Sequence, residues 1–247
     1  MQIKDVYKVC CDDLKNLEDY QMQVQEIFKS VLKCDLSKVL VSNVEIKNVD
    51  FQKIKTAIKT RKTGVPLQYI LGEWDFYGRT FFVGEGVLIP RPETENLIEM
   101  VKNTVTNSNN KIKIIDLCSG SGCIAITLSK IFPNAEIFAL EKSPDAIFYL
   151  KKNITLHNAN VTIIQDDVLS PKTDLKGFDV IVSNPPYLTQ KDMEQLQLEV
   201  KFEPQMALYG NEDGLLFYNF EIPVIVKGGF MLKQSSLQRK EFKQKEL

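Results

Sequence analysis

At 247 residues, with 44% hydrophobic and 26% charged side chains, the chain is long enough to bury a sizeable core and has the composition of a soluble globular protein. A net charge of −1 excludes a general electrostatic grip on nucleic acid or on an anionic membrane, and no apolar run approaches the ~20 residues that span a bilayer. The five scattered cysteines (Cys10, Cys11, Cys34, Cys118, Cys123) and one histidine, His157, offer no zinc-ligand spacing, so no metal is expected, and they fit reduced thiols in a cytoplasmic protein.

The N-terminus, MQIKDVYKVCCDD, has neither an apolar h-region nor an Arg-rich transit bias. The first ~65 residues read as helical. Apolar residues recur at helical spacing from Leu14 to Leu40 (Leu17, Val24, Ile27, Phe28, Val31, Leu32) and again at Phe51, Ile54, Ala57 and Ile58. The basic stretch Lys53–Lys62 reads as a solvated helix face. Gly64 and Pro66 punctuate the chain, and from Tyr69 to Ile89 the pattern turns aromatic and β-branched. Phe76-Tyr77-Gly78-Arg79 is the turn of a hairpin. Pro90-Arg91-Pro92 stops it, and a helix with acids in its first turn is predicted over Glu93–Val101.

After the polar stretch Asn103–Asn110 the character changes. Strands are predicted at Lys113–Leu117, Glu136–Leu140, Val161–Gln165, Phe178–Ser183 and Gly229–Leu232. Helices are predicted up to Phe132, at Asp145–Leu156, and before the last strand. His157, after the second of these, reads as a surface residue. Apolar strands alternating with helices specify an α/β, doubly wound parallel sheet covered on both faces, with its ligand crevice at the strands' C-terminal ends. The chain therefore divides into a helical part (1–68), a hairpin connector (69–92) and a sheet domain (93–247).

The first sheet strand runs into Asp116-Leu117-Cys118-Ser119-Gly120-Ser121-Gly122 and then directly into a helix. Glycines in such a loop permit a tight turn and close approach of a ligand to the backbone. Glu141, closing the second strand about 20 residues on, is placed to accept hydrogen bonds from ribose hydroxyls. Asp167, closing the third, is placed to hold an adenine amino group, with Val168 against the ring. Gly120–Ala125 also fits the dinucleotide pattern, so the loop alone leaves a nicotinamide dehydrogenase open. The Asp before the loop and the fourth strand favour S-adenosylmethionine.

That fourth strand ends in Asn184-Pro185-Pro186-Tyr187. Successive prolines make the loop rigid. An amide nitrogen is a poor nucleophile because its lone pair is delocalised. Asn184 Oδ1 and the Pro185 carbonyl can each accept one N–H of a primary amide, orienting the nitrogen and stabilising the positive charge that grows on it. Tyr187 can pack on the planar group and exclude water, with Pro186 completing the acceptor loop. No strong general base is needed.

At this level of detail the chain resembles the peptide-chain-release-factor glutamine N5-methyltransferases, the PrmC or HemK family. The blocks that carry the resemblance are Gly64–Gly72 (GVPLQYILG), Leu88–Glu95 (LIPRPETE), Asp116–Gly122, Asn184–Tyr187, and Phe202-Glu203-Pro204 leading to Ala207-Leu208 and Asp213-Gly214. The resemblance implies a Rossmann-like class I methyltransferase domain preceded by a small helical domain that recognises the release factor. The acceptor it implies is the glutamine of the Gly-Gly-Gln motif in class I release factors. It places the cofactor against Cys118, Ser119, Gly120, Ser121, Gly122, Glu141, Asp167, Val168 and Asn184, puts the amide at Asn184–Tyr187, and has Arg91, Pro92 and Glu93 line the site. Cys118 stands where many members have Gly, and Glu141 replaces the commoner Asp. Beyond Leu232 the chain reads KQSSLQRKEFKQKEL, where the family continues through two further strands, so the sheet is expected to be truncated with the fifth strand as an edge.

Two other readings stay open on the sequence. A nucleic-acid amino methyltransferase faces the same planar-nitrogen problem, although the near-neutral charge argues against stable nucleic-acid binding. A non-catalytic remnant that binds cofactor or release factor would follow from a truncated end. A monomer without membrane association is expected.

Overall fold

The structure, a computed structural model, describes residues 1–34, 36–41, 44–105, 111–219 and 226–233. The chain forms two compact units, Met1–Gly72 with Leu198–Phe202, and Glu73–Gln197 with the residues from Glu203 onward.

The first unit consists of helices α1 (Ile3–Leu14), α2 (Tyr20–Leu32), α3 (Leu36–Val41), α4 (Asn48–Lys62) and α5 (Leu67–Leu71). Val24, Ile27, Phe28, Ile54 and Ile58 are buried at the spacing the sequence predicts, joined by Ile3, Val6, Cys10 and Leu14 of α1. The predicted helical run does not start at Leu14. The chain ends a helix there and reverses, leaving Leu17 in the turn. No glycine marks that reversal because Asp19 itself takes the left-handed φ of 48°.

The basic stretch in α4 is mixed. Lys53, Lys55, Lys59 and Lys62 are exposed, whereas Arg61 is 1% exposed. Arg61 Nε donates to Gln23 Oε1 (2.6 Å), Nη1 donates to the Val65 carbonyl (3.2 Å), and Nη2 pairs with Glu199 of the returning segment. The same segment explains Gly64. A β-carbon there would lie 2.4 Å from Leu198 Cδ2, and its φ of 94° already suits glycine.

The second unit opens with a hairpin, β1 (Glu73–Phe76) and β2 (Arg79–Phe82), turning at Tyr77-Gly78 as expected. A 3₁₀ turn at Pro92–Thr94 leads into α6 (Glu95–Thr104), so the predicted helix begins two residues late and runs three residues further. There follow β3 (Lys113–Leu117), α7 (Cys123–Ile131), β4 (Glu136–Glu141), α8 (Pro144–His157), β5 (Val161–Gln165), β6 (Phe178–Ser183), α9 (Gln190–Glu194), α10 (Leu216–Asn219) and β7 (Val226–Lys233). Among the described residues β3 to β7 form a parallel sheet in the order β5-β4-β3-β6-β7.

The inner strands β3, β4 and β6 bury most of their residues because both faces are covered, whereas none of the residues of the edge strand β5 (VTIIQ) is fully buried. Ile114, Ile137, Val180 and Val182 pack with Leu97, Ile98 and Val101 of α6 and Ile124 and Leu128 of α7. Ile115, Leu117, Leu140 and Ile181 pack on the other face with Val168 and Leu175. Strand order reverses between β3 and β6, so a crevice opens at the C-terminal ends of these neighbours, where the glycine loop and Asn184 begin.

His157 differs from the expectation of a surface residue. It is half-buried, its Nε2 lies 2.8 Å from the Thr80 carbonyl, and its ring packs on Phe81. Its role is to tie α8 to the hairpin. The expectation of a truncated end falls on residues 234–247, outside the described residues, as does most of the predicted polar stretch before β3.

Candidate active site

A cavity of about 250 Å³ lies in the second unit at the C-terminal end of the sheet. The loop after β3 supplies its floor. Ser119 N donates to the Leu140 carbonyl (3.1 Å), Ser119 Oγ to the Asp116 carbonyl (2.7 Å), and Gly122 N to the Ser119 carbonyl (2.8 Å). Gly120 and Gly122 both have positive φ, but they serve different ends. A β-carbon on Gly120 would meet nothing nearer than Val87 Cγ2 at 4.0 Å, whereas one on Gly122 would lie 2.2 Å from Leu150 Cδ1. Gly120 thus keeps the loop open to the cavity. Gly122 stands outside the wall and lets α7 pack against α8. Cys118 adopts φ 59°, the left-handed conformation a glycine would take without strain.

Asn153 of α8, to which the sequence reading gave no role, is fully buried and reads two backbones. Its Oδ1 accepts from Phe82 N (2.7 Å), and its Nδ2 donates to the carbonyls of Phe82 (3.0 Å) and Ser121 (2.9 Å). It thereby holds the glycine loop and the hairpin to one helix.

Glu141 is buried with its carboxylate facing the loop. Oε2 accepts from Gly120 N, and Oε1 accepts from Lys142 N and Ser143 N, each at 2.8 Å. The longer glutamate reaches the glycine loop directly and keeps lone pairs for further donors. Asp167 Oδ1 accepts from Leu169 N (3.0 Å), and Oδ2 pairs with Lys142 Nζ (2.8 Å). Burial alone would raise its pKa, but these partners outweigh burial and lower it. Hydrogen bonds from Thr173, Lys172 and Asp167 likewise bring Asp166 down to about 2. Carboxylates that stay ionised at the cavity rim suit a cationic ligand.

Burial acts the other way on the thiols. It pushes Cys123 up to about 12 and Cys118 well above the ordinary thiol range, with Asp116 adding to both, so neither thiol is a nucleophile at neutral pH.

At the other end of the cavity stands Asn184. Its Nδ2 donates to Thr94 Oγ1 (3.3 Å), and its Oδ1 is enclosed without a hydrogen-bond partner among the described residues. The loop carrying it is braced from behind. Tyr187 N and Leu188 N donate to the Leu208 carbonyl (3.2 and 2.9 Å), and Gly210 N donates back to the Leu188 carbonyl (2.9 Å). The two backbones touch so closely that a β-carbon on Gly210 would lie 2.8 Å from the Pro186 carbonyl oxygen. One on Gly214 would lie 2.3 Å from that of Tyr187. The Ala207-Leu208 and Asp213-Gly214 blocks noted in the sequence flank this brace.

The remaining wall joins two distant segments. Buried Glu203 accepts from Ile89 N through Oε2 (3.0 Å) and pairs through Oε1 with Arg91, whose Nη1 donates to the Ile89 carbonyl (3.1 Å). Arg91 itself does not reach the cavity. It holds Pro204, which lines the cavity, close to Pro90, which also does.

Of the residues singled out in the sequence, Cys118, Ser119, Gly120, Ser121, Glu141, Asp167, Val168, Asn184 and Pro186 line the cavity together. Among the described residues Gly122, Pro185, Tyr187, Arg91, Pro92 and Glu93 do not form its wall, and Pro92 and Glu93 are exposed. Val87, Thr94, Lys142, Met206 and Phe217 line it without having been singled out. Thr94 belongs to the Leu88–Glu95 block, next to Glu93.

The residues fit the expected S-adenosylmethionine. Gly120 leaves backbone room, Glu141 and Asp167 offer acceptors, Leu140, Ala146 and Val168 make an apolar wall for a base, and the acidic rim suits a sulfonium.

Comparison with known proteins agrees. Residues 93–214 match the model of the methyltransferase small domain family, and residues 6–72 match that of the PrmC N-terminal domain. The chain is 38% identical over 210 residues to a release factor glutamine methyltransferase of Flavobacterium psychrophilum, covering 83% of this chain and 73% of that one. It is 43% identical over 201 residues to that of Thermodesulfovibrio yellowstonii, covering 79% and 71%. To that of Geobacter sulfurreducens it is 33% identical over 233 residues, covering 92% and 81%.

Proposed function

The chain belongs to the family of release factor glutamine methyltransferases and is an S-adenosylmethionine-dependent enzyme, and on that premise we propose that it methylates the side-chain amide nitrogen, N5, of the glutamine in the Gly-Gly-Gln motif of class I release factors. The observation that carries this reading is the side chain of Asn184. An enclosed carbonyl oxygen without a partner costs about 1–3 kcal/mol, and a ligand that brings an N–H recovers it.

When bound, S-adenosylmethionine supplies an electrophilic methyl group on a positively charged sulfur. Cys118–Ser121, Glu141, Asp167 and Val168 hold the donor, and Asn184 contributes from the acceptor side. Asn184 Oδ1 accepts one N–H of the glutamine amide, and the Pro185 carbonyl, one residue on and outside the cavity wall, is proposed to accept the other once the substrate is bound. Both oxygens are more strongly attracted as positive charge develops on the nitrogen, which favours the transition state over the ground state. Neither is a strong base, so the surplus proton leaves after transfer. Tyr187, outside the cavity wall, is proposed to pack over the planar group when the substrate is bound and to keep water away. The helical N-terminal unit recognises the release factor, and the reaction takes place in the cytoplasm.

The test mixes the purified chain with methyl-labelled S-adenosylmethionine and a class I release factor, either wild type or with the Gly-Gly-Gln glutamine changed to alanine. Label on the wild-type factor alone is expected. Equal label on both would remove glutamine as the acceptor.

A further inference from the structure

We propose that Thr94 is a positioning residue for methyl transfer, fixing which end of the Asn184 amide faces the acceptor nitrogen; this rests on the reading of Asn184 given above. The two ends of an asparagine side chain are nearly identical in shape and opposite in hydrogen bonding. Rotated by half a turn, Asn184 would present N–H groups to the N–H groups of the incoming amide. No bond would form, and like dipoles would repel. The geometry that works needs something to take up Nδ2 and leave Oδ1 towards the acceptor.

Thr94 does this. Its Oγ1 lies 3.3 Å from Asn184 Nδ2, across a separation of 90 residues. Thr94 is 2% exposed and lines the same cavity as Asn184, so its side chain has little freedom to move off. Its backbone angles are helical (φ −67°, ψ −21°). In that conformation a threonine hydroxyl can donate its own proton to a carbonyl one turn back, which leaves its lone pairs for an incoming donor. With the proton so engaged, the oxygen accepts from Nδ2 and has nothing to donate to Oδ1. The turn that carries Thr94 is itself anchored, since Thr94 N donates to the Arg91 carbonyl (3.0 Å) and Arg91 is ion-paired to buried Glu203.

The experiment compares Thr94→Val, which keeps the shape and loses the acceptor, with Thr94→Ser, which loses a methyl group and keeps it. Steady-state methylation of a class I release factor is measured together with S-adenosylmethionine affinity and melting temperature. Thr94→Val should lower kcat by about tenfold or more with cofactor affinity unchanged, while Thr94→Ser stays near wild type. Unchanged turnover in Thr94→Val would overturn the assignment. So would a Thr94→Ser variant as slow as Thr94→Val, or a loss of cofactor affinity in step with turnover, which would assign Thr94 to the fold. Wild-type protein that labels no release factor in the same assay would sink the amide-transfer reading itself, and this inference with it.

Discussion

Asp116 is fully buried two positions before Cys118. One of its oxygens accepts from Ala125 N (3.2 Å), and the other has no partner among the described residues. Burial pushes its pKa up to about 8, with Glu141 nearby adding to the rise and the hydrogen bond from Ala125 N pulling the other way. The folded protein therefore holds a proton here that the unfolded chain releases near 3.8. Between those values the folded state binds more protons, so this group's contribution is greatest at low pH and is lost as pH rises towards 8. Asp116→Asn, its neutral isostere, should melt close to wild type only below about pH 3.8 and progressively higher than wild type from there up to about pH 8. Thermal melts of both proteins across that range decide it. A difference that does not vary with pH would mean the carboxyl is ionised in both states. The sequence marks Asp116 as the residue before the loop, but its burial and its missing partner follow from the packing of α7 over β3.

Among the elements, the five sheet strands were legible in the sequence because each carries a short β-branched or apolar run between turn residues, and β3, β5 and β6 start and stop where the sequence predicts. Helix ends in the first unit were not. Asp19 and Lys33 take left-handed φ of 48° and 50°, which glycine usually marks, so nothing in the sequence announces the end of α2 or the turn before it. The brace behind the acceptor loop was invisible for a different reason. Gly210 and Gly214 are required by contact with residues more than 20 positions away, and a lone glycine carries no record of its partner. Gly214→Ala meets both the Tyr187 carbonyl and a φ of 70°, so the loop must move. Turnover should fall by about tenfold or more while S-adenosylmethionine affinity stays within about threefold. Measuring both on one preparation tests this, and an equal loss of each would show that the brace supports the nucleotide end too.

At the scale of the whole chain, each unit has an ion pair with one buried partner that stitches in a segment distant in sequence: Arg61, buried, with Glu199 in the first, and Arg91 with buried Glu203 in the second. Arg61 sits in a run of lysines, and composition alone made it one more solvated charge. Its burial depends on Gln23, whose side chain satisfies Nε at 2.6 Å. Gln23→Ala should strand that donor and lower stability by about 1–3 kcal/mol, read as an earlier midpoint in denaturant with a full-length chain. A midpoint unchanged from wild type would mean that water replaces the glutamine.

The brace on the acceptor loop also orders events during translation. Every cavity residue at the nucleotide end, from Gly86 to Leu169, has been synthesised before β6, whereas Asn184 is followed by 29 further residues before Gly214 is added. A nascent chain leaving the ribosome thus has the donor half of its site available first. The acceptor half is completed only when the later glycines arrive to close behind it.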